Sequence, residues 1–294
     1  MCVPTAQIGH GWLPDLAVTD PNKAPGTIRV GTPRSTSPCG GAAIPRSSSR
    51  IISIFQRLNW GDVELHYLRE SGFMARGPHG PTREGPRDWL AWHFTHIDNL
   101  PAIAAAGRLV CSAAVQPKVD VANPGVKSLR AARAVGPDED YPKSVVNDHV
   151  PFYIAAKSPM LYAVTRGHEN YQGGSDPIVF LGVVLGDVID AGLTWCVSDS
   201  NAAGSLVDFS RDESGLSDFV DFDLLGARYW KNTADDPDRR SRRAAELLIH
   251  GMVPCELITV IVTKTDEAMR RTQACLKDVG GSRDYYVVPE MYYA

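Results

Sequence analysis

The chain has 294 residues, 44% of them hydrophobic and 22% charged, with a net charge of −4. These are ordinary globular values, at a length that allows one large domain or two modest ones. They exclude a transmembrane protein, since no apolar run approaches the ~20 residues of a span. The charge is uneven: residues 1–88 carry 10 Lys and Arg against 7 Asp and Glu, whereas residues 89–294 carry 20 against 27. An acidic main body argues against coating duplex DNA through many phosphate contacts, but not against reading a few nucleotides in a narrow cleft.

Residues 1–50 contain 23 Gly, Pro, Ser or Thr. They have no apolar period and are expected to form a disordered tail. No basic stretch there leads into an apolar block, so a secretory signal is not expected. Residues 51–70 are more apolar, from Ile51 to Leu68, and 75–88 return to Gly, Pro and Arg. A boundary is therefore placed near Asp88, dividing the chain into a tail (1–50), a short apolar segment with linker (51–88) and a domain (89–294). Beyond it the chain alternates. Strands are predicted over 89–95, 150–155, 178–185, 257–263 and 285–288. Helices are predicted over 98–106, 121–134, 216–227, 239–250 and 266–277. The strands are too irregularly spaced for a doubly wound parallel sheet. There is no G-x-G-x-x-G and no P-loop. Six cysteines without a C-x-x-C pair predict reduced, mostly buried thiols and a cytoplasmic protein.

Four stretches carry candidate chemistry. In Trp92-His93-Phe94-Thr95-His96-Ile97-Asp98-Asn99-Leu100, strand geometry puts His93 and Thr95 on one face. An imidazole beside a hydroxyl suits hydrogen bonding to sugar or amide groups; a strand end with a capping Thr95 fits the same residues. No second H-x-T/S occurs, which disfavours a two-histidine phosphoesterase, and no third ligand accompanies His93 and His96, so no metal is expected. On a helix over 239–250, Arg239, Arg242, Arg243 and Glu246 share a side. That is either a solvated face or a carboxylate kept ionised by guanidinium groups and able to stabilise an oxocarbenium-like centre. Residues 147–162, with Tyr153 and Tyr162, offer rings for stacking or plain core. The 121–134 helix presents Lys127, Arg130 and Arg133, a face suited to phosphate or simply to solvent.

In this order the stretches resemble one family, the DarT DNA ADP-ribosyltransferases, toxins of a toxin–antitoxin pair. The resemblance runs over residues 89–293. It is carried by W-H-F-T-H-I-D-N-L-P at 92–101, N-D-H-V-P-F-Y-I-A-A-K-S-P-M-L-Y at 147–162, Y-Q-G-G at 171–174 and R-R-A-A-E-L-L-I-H at 242–250.

The resemblance implies an α+β fold, with an ADP-ribosyltransferase-like split β-sheet core and flanking helices. It implies transfer of ADP-ribose from NAD, as substrate, to thymine in single-stranded DNA. The implied NAD contacts are His93, Phe94, Thr95, Ala102, Val110, Tyr153 and Arg243. Glu246 falls at the catalytic glutamate and Arg130 at an arginine needed for activity. Lys157, Met160 and Asn201 fall at positions bordering the DNA. Lys157 stands where the family often has Arg, and Asn201 where some members have His, so phosphate grip and sequence preference are expected to differ. The implied partners are thymine-containing single-stranded DNA and an antitoxin of the macrodomain-bearing DarG type. An RNA or protein acceptor with the same NAD site is the alternative. A nucleic-acid-binding module without catalysis is the other, weakened by the acidic body.

Overall fold

The structure, a computed structural model, describes residues 85–294. The expected tail and nearly all of the 51–88 segment lie outside the described residues. A short turn, Pro86–Asp88, leads into β1 (Leu90–His96), α1 (Leu100–Ala106) and β2 (Arg108–Val110). Next come α2 (Pro124–Ala132), β3 (Ala134–Val135), β4 (Ser144–Val145), β5 (His149–Tyr153) and α3 (Pro159–Arg166). The middle of the chain forms β6 (Ile178–Val184), α4 (Leu185–Asp190), β7 (Trp195–Ser198), β8 (Phe209–Ser210), α5 (Leu216–Phe219) and α6 (Phe222–Leu225). The last part holds α7 (Arg239–Arg242), β9 (Glu246–His250), β10 (Met252–Pro254), β11 (Val260–Thr263), α8 (Asp266–Leu276) and β12 (Asp284–Val287).

Eight strands form one sheet in the order β12-β11-β6-β1-β5-β9-β7-β8. Only the β11–β12 pair is parallel. The sheet is two halves joined at one point. β1 pairs with β6 along its whole length, from Leu90↔Val184 to His96↔Ile178. With β5 it shares a single register pair, Trp92↔Tyr153. Beyond that pair β1 and β5 part, and a cleft opens between the halves.

Apolar clusters cover both faces. Trp92, Phe94, Ile178 and Phe180 pack on one side. Ala91, Val179, Leu181 and Val183 pack on the other with Ala268 and Leu276 of α8. This explains the unbroken apolar run of β6, a strand buried on both faces. Gly182 in its middle is there for space: a Cβ would stand 3.0 Å from the Trp92 ring and 3.1 Å from Leu90. Among the four blocks, Y-Q-G-G is a turn held by its own tyrosine. The Tyr171 hydroxyl donates to the Gly174 carbonyl at 2.9 Å, a Cβ on Gly173 would lie 2.6 Å from that hydroxyl, and Gly174 has φ +68°.

Two predicted elements are corrected. The helix over 239–250 is a single turn, α7, followed by strand β9. Leu247, Leu248 and Ile249 are all buried because β9 lies between β5 and β7 with a core on each face; contiguous burial imitates the spacing of a helix face. The helix over 216–227 is two short helices, α5 and α6, interrupted at Val220 and Asp221. The β2–β10 pair, β7, α3 and α4 carry too few apolar positions or too little periodicity to be predicted.

Candidate active site

The cleft between β1 and β5 is the mouth of a cavity. His93, Phe94, Thr95, Ala102, Val110, Arg130, Tyr153 and Met160 all line it. Alternation along β1 sends His93 and Thr95 to one face and Phe94 to the other; with the strands parted, both faces border the opening. Phe94 and Tyr153 stack at 5.8 Å and form an aromatic wall. His93 bridges the gap, its Nδ1 lying 3.0 Å from the Pro151 carbonyl on β5. A carbonyl only accepts, so Nδ1 carries the hydrogen and Nε2 keeps a free lone pair. Burial lowers the His93 pKa and favours this neutral form.

Glu246 opens β9 and is cross-strand partner of Tyr153. Tyr153 is in turn the partner of Trp92, so Glu246 stands two strands, about 10 Å, from β1. Its side chain is 1% exposed. Arg130 reaches it from α2 across 116 residues of sequence, Nη1 donating to Oε1 at 3.0 Å and to Oε2 at 2.9 Å. The Ala202 N–H adds a long bond to Oε1 at 3.4 Å. A carboxylate has about four acceptor positions; the remaining one is on Oε2. The Glu246 N–H donates to Ser198 Oγ at 3.1 Å, which anchors the strand start to β7. Arg130 thus stands at the cavity wall with Glu246 directly behind it.

Three predicted residues sit elsewhere. Arg243 does not border the cavity. Its buried guanidinium donates to the carbonyls of Leu224 at 2.7 Å, Leu225, and Ala227 at 3.3 Å, and through Nε to Lys157 at 3.3 Å. It ties the α6 end to the loop before α3, and burial lowers its pKa to about 10. The guanidinium that meets Glu246 therefore comes from Arg130. Arg239 and Arg242 are occupied by Asp221, Asp236 and Asp238. Lys157 lies over the Tyr293 ring at 5.6 Å, and burial lowers its pKa. Asn201 accepts from the Ala203 N–H at 3.0 Å and shapes the turn that presents Ala202 to Glu246.

Sequence reasoning passes over Asn99, Ser198 and the 119–122 wall. Val119, Asp120, Val121 and Ala122 line the cavity opposite β1. The wall is held by Asn99, by His168 Nε2 on the Val121 carbonyl at 3.0 Å, and by an Asp120–Lys127 ion pair. Nothing in the local pattern of these residues distinguishes them from turn and cap residues.

Residues 92–293 match the family model described as ssDNA thymidine ADP-ribosyltransferase, DarT. A DNA ADP-ribosyl transferase of Mycobacterium tuberculosis is 56% identical over 227 residues, covering 77% of this chain and 98% of the relative. One from Thermus sp. is 33% identical over 202 residues, covering 68% and 93%. The solved Thermus sp. 2.9 DarT in complex with ADP-ribosylated ssDNA superposes with a TM-score of 0.64 at 29% identity, covering 69% of this chain and 96% of that one. Its complex with NAD+ gives 0.60 at 30% identity, covering 69% and 97%. The split sheet, the parted β1 and β5 and the Arg130–Glu246 pair therefore belong to a member of the DarT family of ssDNA thymidine ADP-ribosyltransferases.

Proposed function

We propose that this chain transfers ADP-ribose from NAD to a thymine base in single-stranded DNA, acting as a toxin, with chemistry centred on Glu246 and Arg130. The observation that carries this is the buried Arg130–Glu246 pair at the wall of a cavity edged by His93 and Thr95. His93 Nε2 and the Thr95 hydroxyl bind NAD at its adenosine-ribose or nicotinamide end. Phe94, Ala102, Val110 and Tyr153 supply apolar walls for its planar groups. Glu246 uses its remaining acceptor position on the nicotinamide-ribose hydroxyl. There it stabilises positive charge as the C–N bond to nicotinamide breaks. Thymine N3 forms the new bond to the anomeric carbon and its proton leaves to solvent. Arg130 offsets the negative charge that develops on the base; its guanidinium carries N–H donors and no acceptor, so its part is electrostatic. The N3 edge is paired in a duplex, so an unpaired strand is the substrate.

Met160 lines the same cavity and Lys157 sits just before α3, which supports a base-bordering segment beside the NAD site. Residues 89–294 are the catalytic domain. The family pairing supports an antitoxin of macrodomain type as partner. The free thiols of Cys111, Cys196, Cys255 and Cys275 support a cytoplasmic setting. Among the described residues no helix is long and apolar enough to cross a membrane.

The test is mass spectrometry. NAD and a single-stranded oligonucleotide with one thymine should give release of nicotinamide and a mass increase of one ADP-ribose, lost when the thymine is replaced. Modification of RNA or protein with no change in the oligonucleotide would overturn the acceptor assignment.

A further inference from the structure

Asn99 sits immediately before α1, where an asparagine ordinarily caps a helix. Here it makes no capping bond. The preceding turn is capped by His96, whose Nδ1 accepts from the Asp98 N–H at 3.1 Å. Asn99 is 6% exposed, and its amide is turned toward the cavity wall. Val119 reads both ends of it: the Val119 N–H donates to Oδ1 at 2.9 Å, and Nδ2 donates to the Val119 carbonyl at 2.9 Å. This two-point contact fixes which end of the amide is nitrogen. The second Nδ2 hydrogen goes to Thr95 Oγ1 at 3.0 Å.

The consequence falls on Thr95. A hydroxyl has one hydrogen and two lone pairs. Asn99 takes a lone pair, and no described residue accepts the hydrogen. Thr95 is 7% exposed and borders the cavity, so its hydrogen is left for whatever occupies that space. Beside it, His93 Nε2 presents a lone pair. The edge of β1 therefore offers one donor and one acceptor in a fixed order, the complement of a carboxamide or of a sugar diol.

We propose that Asn99 is a positioning residue for the transferase reaction: it commits the Thr95 hydroxyl to donate to NAD and clamps the 119–122 wall to that same hydroxyl. This rests on the reading that Thr95 touches NAD. Three elements meet at the one amide: β1 through Thr95, the start of α1 through Asn99 itself, and the cavity wall through Val119. Exchange for aspartate keeps the shape and reverses the polarity. A carboxylate has no hydrogen for Thr95, draws the Thr95 hydrogen to itself and faces the Val119 carbonyl with like charge.

The test uses the full chain with Asn99→Asp, Thr95→Val and the double variant. It reads NAD affinity by calorimetry, KM and kcat for NAD, and oligonucleotide affinity without NAD. Asn99→Asp is expected to weaken NAD binding about tenfold, the loss of one well-placed hydrogen bond. Saturating kcat and oligonucleotide affinity should stay within about threefold, and the double variant should bind no more weakly than the weaker single variant. Multiplying effects in the double variant, or NAD affinity within about twofold of the parent in Asn99→Asp, would overturn the proposal. Equal losses of NAD and oligonucleotide affinity with a lower melting temperature would reduce Asn99 to a structural role and overturn it too. Unchanged NAD binding in Thr95→Val would instead remove Thr95 from the NAD site. Should the aspartate variant fail to fold, Asn99→Ala removes the donor without adding charge and enters the same comparison.

Discussion

At the residue scale the site is governed by one ion pair. Glu246 is held by Arg130 on both oxygens and by the Ala202 N–H. Glu246→Gln keeps the shape and removes the charge proposed to act at the anomeric centre. It is expected to lower kcat by about 10²–10³, with NAD affinity little changed, as steady-state kinetics and calorimetry on the same preparation would show. Arg130→Ala does more, because it leaves a buried carboxylate without its cation. It should abolish transfer and destabilise the fold by about 3–5 kcal/mol in denaturant unfolding, and adding Glu246→Gln should recover part of that loss. The residues that carry charge or a distinctive type in a short pattern, His93, Thr95 and Glu246, are legible in the amino-acid sequence. Arg130 is reached by spacing and not by a local signature, because its role depends on a contact 116 residues away. Asn99 is hidden there, since an asparagine ahead of Pro101 has a sufficient local explanation as a cap. Arg243 misleads for the opposite reason. Its nearness to Glu246 in sequence suggests shared work, whereas on entering a strand the chain points it to the carbonyls of Leu224 and Leu225.

At the element scale the site depends on how β5 and β6 are held. His149 opens β5 with Nδ1 donating to the Val145 carbonyl at 2.9 Å and Nε2 accepting from the Tyr141 hydroxyl at 2.9 Å. Accepting at Nε2 needs the neutral ring, and burial lowers its pKa to about 4. An unfolded histidine titrates near 6.5, so between those values the unfolded chain binds the extra proton. Stability therefore rises with pH across that window and is lost as pH falls through it, on the order of 3 kcal/mol. The melting temperature should drop between pH 6.5 and 4, and His149→Gln should flatten that slope. Gly182→Ala tests β6 independently. The added methyl meets the Trp92 ring, and Trp92 is the residue that joins the two half-sheets. A cost of about 1–3 kcal/mol is expected in equilibrium unfolding. The same density of packing explains why 239–250 reads as a helix in sequence. Three consecutive buried apolar positions in β9 satisfy a 3.6-residue period as well as a two-sided strand does. Strands with alternating or fully apolar runs, such as β1 and β6, are legible; β7 is not, since Trp195-Cys196-Val197-Ser198 is too short to show a period.

At the scale of the whole molecule, the split sheet explains why the groups proposed to meet NAD and DNA converge from distant parts of the chain. The half built on β1 and β6 supplies His93 and Thr95, the half built on β5 and β9 supplies Tyr153 and Glu246, and α2 closes over the seam with Arg130. Both halves must be complete for the seam to hold, which makes the start of the domain testable. The match to the family model begins at Trp92, yet Trp89 is 2% exposed and packs edge-on against Phe222 at 5.1 Å. Its carbonyl accepts from the Leu185 N–H at 2.9 Å, and Arg87 donates to Glu213 at 2.8 Å. The turn ahead of β1 thus fastens α4 and α6 to the sheet. Two truncations separate this from the resemblance alone. A chain beginning at residue 76 is expected to retain the modifying activity of the full protein. One beginning at residue 91 loses Trp89, whose removal from a packed core costs about 3–5 kcal/mol, a large share of a typical domain's stability. Its melting temperature and oligonucleotide modification should fall together. Full activity in the chain starting at 91 would show that the seam holds without that anchor; loss of activity with intact folding in the chain starting at 76 would assign the preceding residues a part in the reaction.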